Sequence, residues 1–293
     1  MRKRFVDGPA GPVSTALLFG VPGAIFWWLF HSLGPRLLGS GVSWWALFHL
    51  LLVLPLALML AAPFVALALS GVPRWDWPRR LRLTTPSSSA WCWALALAGF
   101  MYGGYAGDVM AIPMTMGALW CERQRAPAAP RWSGRGVLLA VAAYVLMRRA
   151  LAVLQPTVES IRIFDPAGFH NAFFSHFGPV DFMGIALHGH WWVVLYYAAI
   201  LVVLNVGGEE LWWRGYVLPR QERYFNRWTW LVHGVCWSLF HLFLQPTAWD
   251  TLRMTITGVA LAFIAQRTRS TWPGVVGHVA GNLPFLLSLV RGV

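Results

Sequence analysis

Charge is what this sequence most lacks. Only 12% of its 293 residues are charged, and just 11 are acidic. Soluble domains sit near ~25% charged, so the composition points away from water and toward lipid. Lysine is nearly absent: Lys3 stands alone among the 23 basic residues. Cysteine is equally sparse. Cys92, Cys121 and Cys236 have no CxxC spacing, which argues against a disulfide framework or a zinc knuckle. No internal repeat and no low-complexity tract is present. Nor are there segments of alternating apolar and polar residues, the signature of a membrane β-barrel. The net charge of +12 comes without a basic domain outside the apolar runs, so nucleic acid is not an expected partner. No small-residue cleavage site follows Arg2, Lys3, Arg4 and the apolar stretch from Val13, so an uncleaved first helix is expected.

Apolar residues are abundant, at 57%, and come in runs long enough to cross a hydrocarbon core as helices. Eight spans are predicted: 13–31, 44–69, 91–120, 136–154, 191–218, 228–244, 251–266 and 275–290. Tryptophan marks many of their ends, as interfacial anchors do. The expected class is all-α, a polytopic transmembrane helical bundle. Basic loops at the N-terminus, 72–90, 122–135, 219–227 and 267–270 all ask for the cytoplasm. The loop 155–190, with Glu159, Asp165 and Asp181, asks for the outside. Span 91–121 breaks this alternation. Rich in glycine and holding Asp108 and Pro113, it is either re-entrant or broken, or one basic loop lies outside. Organisation divides softly near residue 155. N-terminal helices (1–155) carry few polar residues, a connecting loop covers 155–190, and the core 190–293 carries the chemistry.

Glu209 and Glu210 directly follow an apolar run. Acids at membrane depth are costly and mark function by default. Glu210 and Arg214 are i,i+4 and share a helix face, so Arg214 holds Glu210 as a carboxylate. Glu209 points about 100° away around the helix and is expected to lack an intrahelical partner, as suits a general base. The bland alternative is an interfacial ion pair at a helix end. Two further polar sets weigh against it. His241 closes the stretch Trp237-Ser-Leu-Phe-His241, and His278 and Asn282 form an i,i+4 pair in the last span. A lone histidine in an apolar helix is more often a packing residue than a catalyst, but three polar sets on three membrane helices are hard to ascribe to chance. Gly277 and Gly281 beside the last pair would admit another backbone.

The stretch GGEELWWRGYVLPR resembles the first motif, EExxxR, of the CAAX-protease and bacteriocin-processing (CPBP, or Abi) family, whose eukaryotic relatives are type II CAAX prenyl endopeptidases. The family's second motif, FxxxH, reads Trp237-xxx-His241 here, and its third reads His278-xxx-Asn282. The resemblance covers roughly residues 190–293. Its one departure is tryptophan for phenylalanine at 237, an aromatic exchange that touches packing rather than chemistry. The resemblance implies an intramembrane endopeptidase. In it Glu209 is the base that activates water, His241 positions that water, His278 and Asn282 form an oxyanion site, and Glu210 with Arg214 supports helix and charge. Hydrolysis of a peptide bond needs such a base and such donors.

A zinc site of Glu209, His241 and His278 is the alternative to a metal-free mechanism. The HExxH spacing is absent, and the metal-free reading is preferred. The expected substrate is a membrane-embedded or lipidated protein or peptide. The arginine-rich, lysine-poor chain fits a bacterial inner membrane, where peptide maturation, sorting-tail removal or immunity suits better than prenyl processing. Two other classes stay open: a non-proteolytic scaffold or bacteriocin-immunity protein, and a transporter using Glu209 and His241 as a proton relay. His170, His176, His188 and His190 are read as a solvated polar loop rather than a metal site. Arg148 and Arg149 are expected to snorkel or to face a polar interior.

Overall fold

The computed structural model describes residues 12–84, 149, 152–163 and 168–293. Predicted span 91–120, most of 136–154, and Asp108, Arg148, Cys92 and Cys121 lie outside these residues. What is described is mostly helical. Helix α1 covers residues 12–39 and α2 covers Trp44–Leu69. A short helix α3, Trp77–Arg80, follows. After the undescribed stretch come α4, Phe169–Ser175, and a two-residue hairpin of β1, Asp181–Phe182, and β2, Ile185–Ala186. Four more helices complete the chain: α5 over residues 191–225, α6 at Thr229–Phe240, α7 at Ala248–Thr268 and α8 at Trp272–Val290.

Three helical runs among the described residues are long and apolar enough to cross a membrane: Trp44–Leu69, Trp191–Phe240 and Trp272–Val290. The chain is an integral membrane protein. These residues do not reproduce a count of eight. In particular, span 228–244 forms a 12-residue α-helix, Thr229–Phe240, that stops at a 3₁₀ turn, Leu242–Leu244. At 1.5 Å per residue α6 reaches roughly 18 Å, short of a ~30 Å hydrocarbon core.

Proline shapes the long helices. Three π-helical stretches each end two residues before a proline: Leu29–Leu33 before Pro35, His49–Val53 before Pro55, and Glu210–Val217 before Pro219. Proline has no N–H to give the carbonyl four residues back, and its ring crowds that carbonyl. Widening the turn to i→i+5 relieves the clash without breaking the helix. A fourth stretch, Ile200–Gly207, leads into Gly208 and Glu209, so Glu209 sits between two widened segments and Glu210 opens the second.

Helices meet closely where glycine permits. A Cβ on Gly234 in α6 would lie 2.3 Å from the Val259 nitrogen in α7, and one on Gly258 would lie 2.7 Å from the Gly234 carbonyl oxygen. Only glycine lets these two backbones touch. Ser238 and Thr255 then hydrogen-bond across the seam at 2.8 Å. A Cβ on Gly208 would lie 2.9 Å from the Leu56 carbonyl oxygen, so α5 presses on α2 immediately before Glu209.

Loop 155–190 departs from the expected solvated polar loop. Phe169, Phe173, Phe182, Met183 and Leu187 are buried, and α4 and the hairpin cap an aromatic cluster with Phe30 and Phe48. Phe30 meets Phe173 edge-on at 5.1 Å between ring centroids, and Phe48 meets Phe182 at 5.3 Å, the T-shaped geometry aromatic quadrupoles favour. Met183 and Gly184 turn the hairpin with positive φ, and Asp181 is held by His176. His170 lies against the Leu244 carbonyl, while His188 and His190 are exposed. The local aromatic density, rather than the polar count, decides where this segment goes.

At the other end of the bundle the described parts of three basic loops converge. Glu222 accepts from both Arg82 (2.6 and 3.2 Å) and Arg269 (3.0 Å). Thr271 donates to the Leu81 carbonyl and Trp272 to that of Leu83. Nearby, Arg80 and Arg79 hold the Asp76 carboxyl below its usual value by hydrogen bonding. This clamp ties the segment after α2 to the last turn of α5 and the start of α8.

Candidate active site

Glu209 lies 18 residues into α5, near the middle of that helix and beyond its apolar first half. Its carboxylate is buried, with only 3% exposure. Three side chains reach it. Asn205 donates Nδ2–H to Oε1 at 2.8 Å, Trp237 donates Nε1–H to Oε2 at 3.0 Å, and His241 Nε2 stands 3.3 Å from Oε2. Asn205 is four residues back on the same helix, which corrects the expectation that Glu209 lacks an intrahelical partner. In the widened helix, residues four apart lie almost directly above one another.

Trp237 also corrects a reading. Exchange of phenylalanine for tryptophan at this position touches more than packing, since only the indole has an N–H to give the Glu209 carboxylate. The same ring lies under the Arg214 guanidinium at 4.8 Å.

His241 occupies the C-cap of α6, where its Nδ1 lies 2.7 Å from the Trp237 carbonyl. A carbonyl only accepts, so Nδ1 carries a hydrogen and Nε2 is the nitrogen turned toward Glu209. A separation of 3.3 Å is longer than the ~2.7–2.9 Å of a charge-assisted hydrogen bond. Such contacts are commonly loose before substrate tightens them.

Glu210 belongs to a different set. It is fully buried, and its Oε1 accepts from Arg214 at 3.1 Å and from His278 Nδ1 at 3.0 Å. Arg214 too is fully buried, so the pair exists only as a pair. Gly274 on α8 leaves the room: a Cβ there would sit 2.3 Å from Glu210 Oε2. The adjacent acids therefore address different helices, Glu209 facing α6 and Glu210 facing α8. Asn282, one turn beyond His278, donates Nδ2–H to Asn205 Oδ1 at 3.0 Å. His278 and Asn282 thus reach the acids through Glu210 and Asn205 rather than opening directly onto Glu209.

A cavity of about 40 Å³ lies beside Glu209, enough for roughly two to four waters. Its polar lining is Asn205, Glu209 and His241. Its apolar walls come from α1 (Phe26), α2 (Leu52, Pro55, Leu56 and Met59) and the end of α6 with the turn after it (Phe240, Phe243 and Leu244). The N-terminal helices thus close the site that the C-terminal core supplies. As a zinc site the residues do not fit. His278 engages Glu210 instead of joining Glu209 and His241, and among the described residues no three His, Cys, Asp or Glu side chains gather as ligands would.

Sequence reasoning missed Asn205. Its signal was available: it precedes Glu209 by four residues, the spacing that links Glu210 to Arg214.

Residues 182–284, just over a third of the chain, match the family model described as Type II CAAX prenyl endopeptidase Rce1-like. No curated protein and no solved structure matches the chain. The matched segment contains Glu209, Glu210, Arg214, Trp237, His241, His278 and Asn282, so the similarity to CAAX-type membrane proteases covers every residue that the three motifs supply.

Proposed function

We propose that this protein is a glutamate-type intramembrane endopeptidase that cleaves a membrane-embedded or lipidated protein or peptide. One observation carries the reading: a buried carboxylate, Glu209, and an imidazole nitrogen, His241 Nε2, face each other on the wall of a largely apolar cavity that has room for water. In that setting Glu209 takes a proton from water as the oxygen attacks the scissile carbonyl carbon. The carbonyl's electron pair moves to oxygen, and on α8 Asn282 and His278 are the donors for that oxyanion, His278 through Nε2–H as the imidazolium whose Nδ1–H is held by Glu210. Collapse of the tetrahedral intermediate breaks the C–N bond, and the proton returns from Glu209 to the leaving amine. Glu210 and Arg214 fix His278 and the helix. A low-dielectric cavity strengthens each of these interactions.

In this reading residues 190–293 form the catalytic core. Helices from 1–155 wall the cavity, and 155–190 connects the two. The membrane is a bacterial inner membrane, with the site near its cytoplasmic leaflet.

The test compares membrane-protein termini in the native host between wild type and Glu209→Gln, at matched expression and unfolding temperature. Uncut precursors in the mutant are the expected result and name the substrate. Identical termini with the host phenotype intact would replace protease by scaffold or immunity protein.

A further inference from the structure

We infer that Asn205 is a positioning residue through which Asn282 acts on Glu209, an assignment that rests on the protease reading above. The argument begins with valence. A carboxylate can only accept, so the amide of Asn205 must present its NH2 to Glu209 Oε1, which it does at 2.8 Å. That choice turns Asn205 Oδ1 the other way, where it can only accept. The partner it meets is the Asn282 NH2, at 3.0 Å. The polarity of the whole chain, Asn282 to Asn205 to Glu209, follows from the negative charge at its end. Reversing either amide would set two oxygens or two N–H groups against each other.

Placement supports the role. Asn205 lines the cavity together with Glu209 and His241, and Asn282 is not part of that lining. Glu209 Oε2 is already engaged by Trp237 and His241, so Asn205 alone restrains Oε1 among the described side chains. Oε1 retains a second acceptor site for water. Asn282 carries two amide hydrogens. One is committed to Asn205, and among the described residues the other has no hydrogen-bond partner and can serve an oxyanion. The third motif thereby serves the base before substrate arrives, as well as the transition state afterwards.

Two readouts test this on purified full-length protein in liposomes. The first is kcat and KM on a fluorogenic farnesylated CAAX peptide. Asn205→Ala should lower kcat by roughly ten- to a hundredfold with KM within about twofold, as loss of alignment does. Asn205→Ser, whose hydroxyl can both donate and accept, should recover part of that loss. The second readout is the infrared carboxylate band of Glu209, isolated by subtracting the Glu209→Gln spectrum. Asn205→Ala should shift the band, Asn282→Ala should shift it in the same direction, and the double variant should shift it no further than Asn205→Ala. An unmoved band in either single variant overturns the relay. So does wild-type kcat in an Asn205→Ala protein that merely unfolds at lower temperature. If Asn205→Ala does not fold, the Asn282→Ala band decides alone. If wild type leaves the peptide uncut, prenylated tails are excluded as substrates and the infrared cycle decides the relay alone.

Discussion

Replacing Trp237 by phenylalanine separates its ring from its hydrogen bond. The FxxxH motif that residues 237–241 resemble has phenylalanine at this position, so the fold should accept it. The variant loses the Nε1–H that reaches Glu209 Oε2 at 3.0 Å inside a site only 3% exposed. A hydrogen bond to a charged acceptor contributes about 1.5–3 kcal/mol. If that bond aligns the base, losing it should lower kcat by about ten- to a hundredfold, at ~1.4 kcal/mol per tenfold. The ring contributes separately. It fills the notch at Gly258, where an added Cβ would lie 2.7 Å from Trp237 Cε3, and it lies under Arg214. A smaller ring should cost about 1 kcal/mol in packing, read as a lowered unfolding temperature. Single-turnover cleavage in liposomes and thermal unfolding together measure both parts. Wild-type cleavage in a protein with a lowered unfolding temperature would refute the reasoning, since the indole would then be packing only.

Glu210→Gln should destabilise by about 3–5 kcal/mol, because it leaves Arg214 charged and fully buried without its counter-ion. The effect should show as loss of folded protein rather than as a purely kinetic defect, in contrast to Glu209→Gln, and size-exclusion yield with thermal unfolding would distinguish the two. Gly274→Ala places a methyl 2.3 Å from Glu210 Oε2. It should destabilise by about 1–3 kcal/mol and reduce activity by displacing the carboxylate that holds His278, which unfolding and cleavage measured side by side would reveal.

Much of the site was legible because acids are scarce in this chain and a membrane makes each one conspicuous. Glu209, Glu210 and Arg214 stand out by rarity and by the four-residue spacing of an ion pair. His241, His278 and Asn282 stand out once that pair is seen. Asn205 was not legible in the same way, because asparagine carries no charge that a membrane would penalise as heavily. Trp237 read as an aromatic anchor because nothing along the chain says where an indole N–H will point. Loop 155–190 was misread for a related reason. Its histidines and acids suggested solvent, while Phe169, Phe173 and Phe182 were free to fold back onto α1 and α2.

The sequence by itself determined the solvent, the helical class and the inventory of chemistry. Those follow from local quantities: run length, charge frequency and side-chain spacing on one helix. Tertiary structure decided which carboxylate meets which histidine. Glu209 and Glu210 are neighbours in the chain, and only the backbone approaches at Gly208, Gly234, Gly258 and Gly274, together with the widened turns of α5, turn one toward α6 and the other toward α8. Pairing across helices depends on how closely and at what rotation they pack, and the pattern along any one helix does not contain that information.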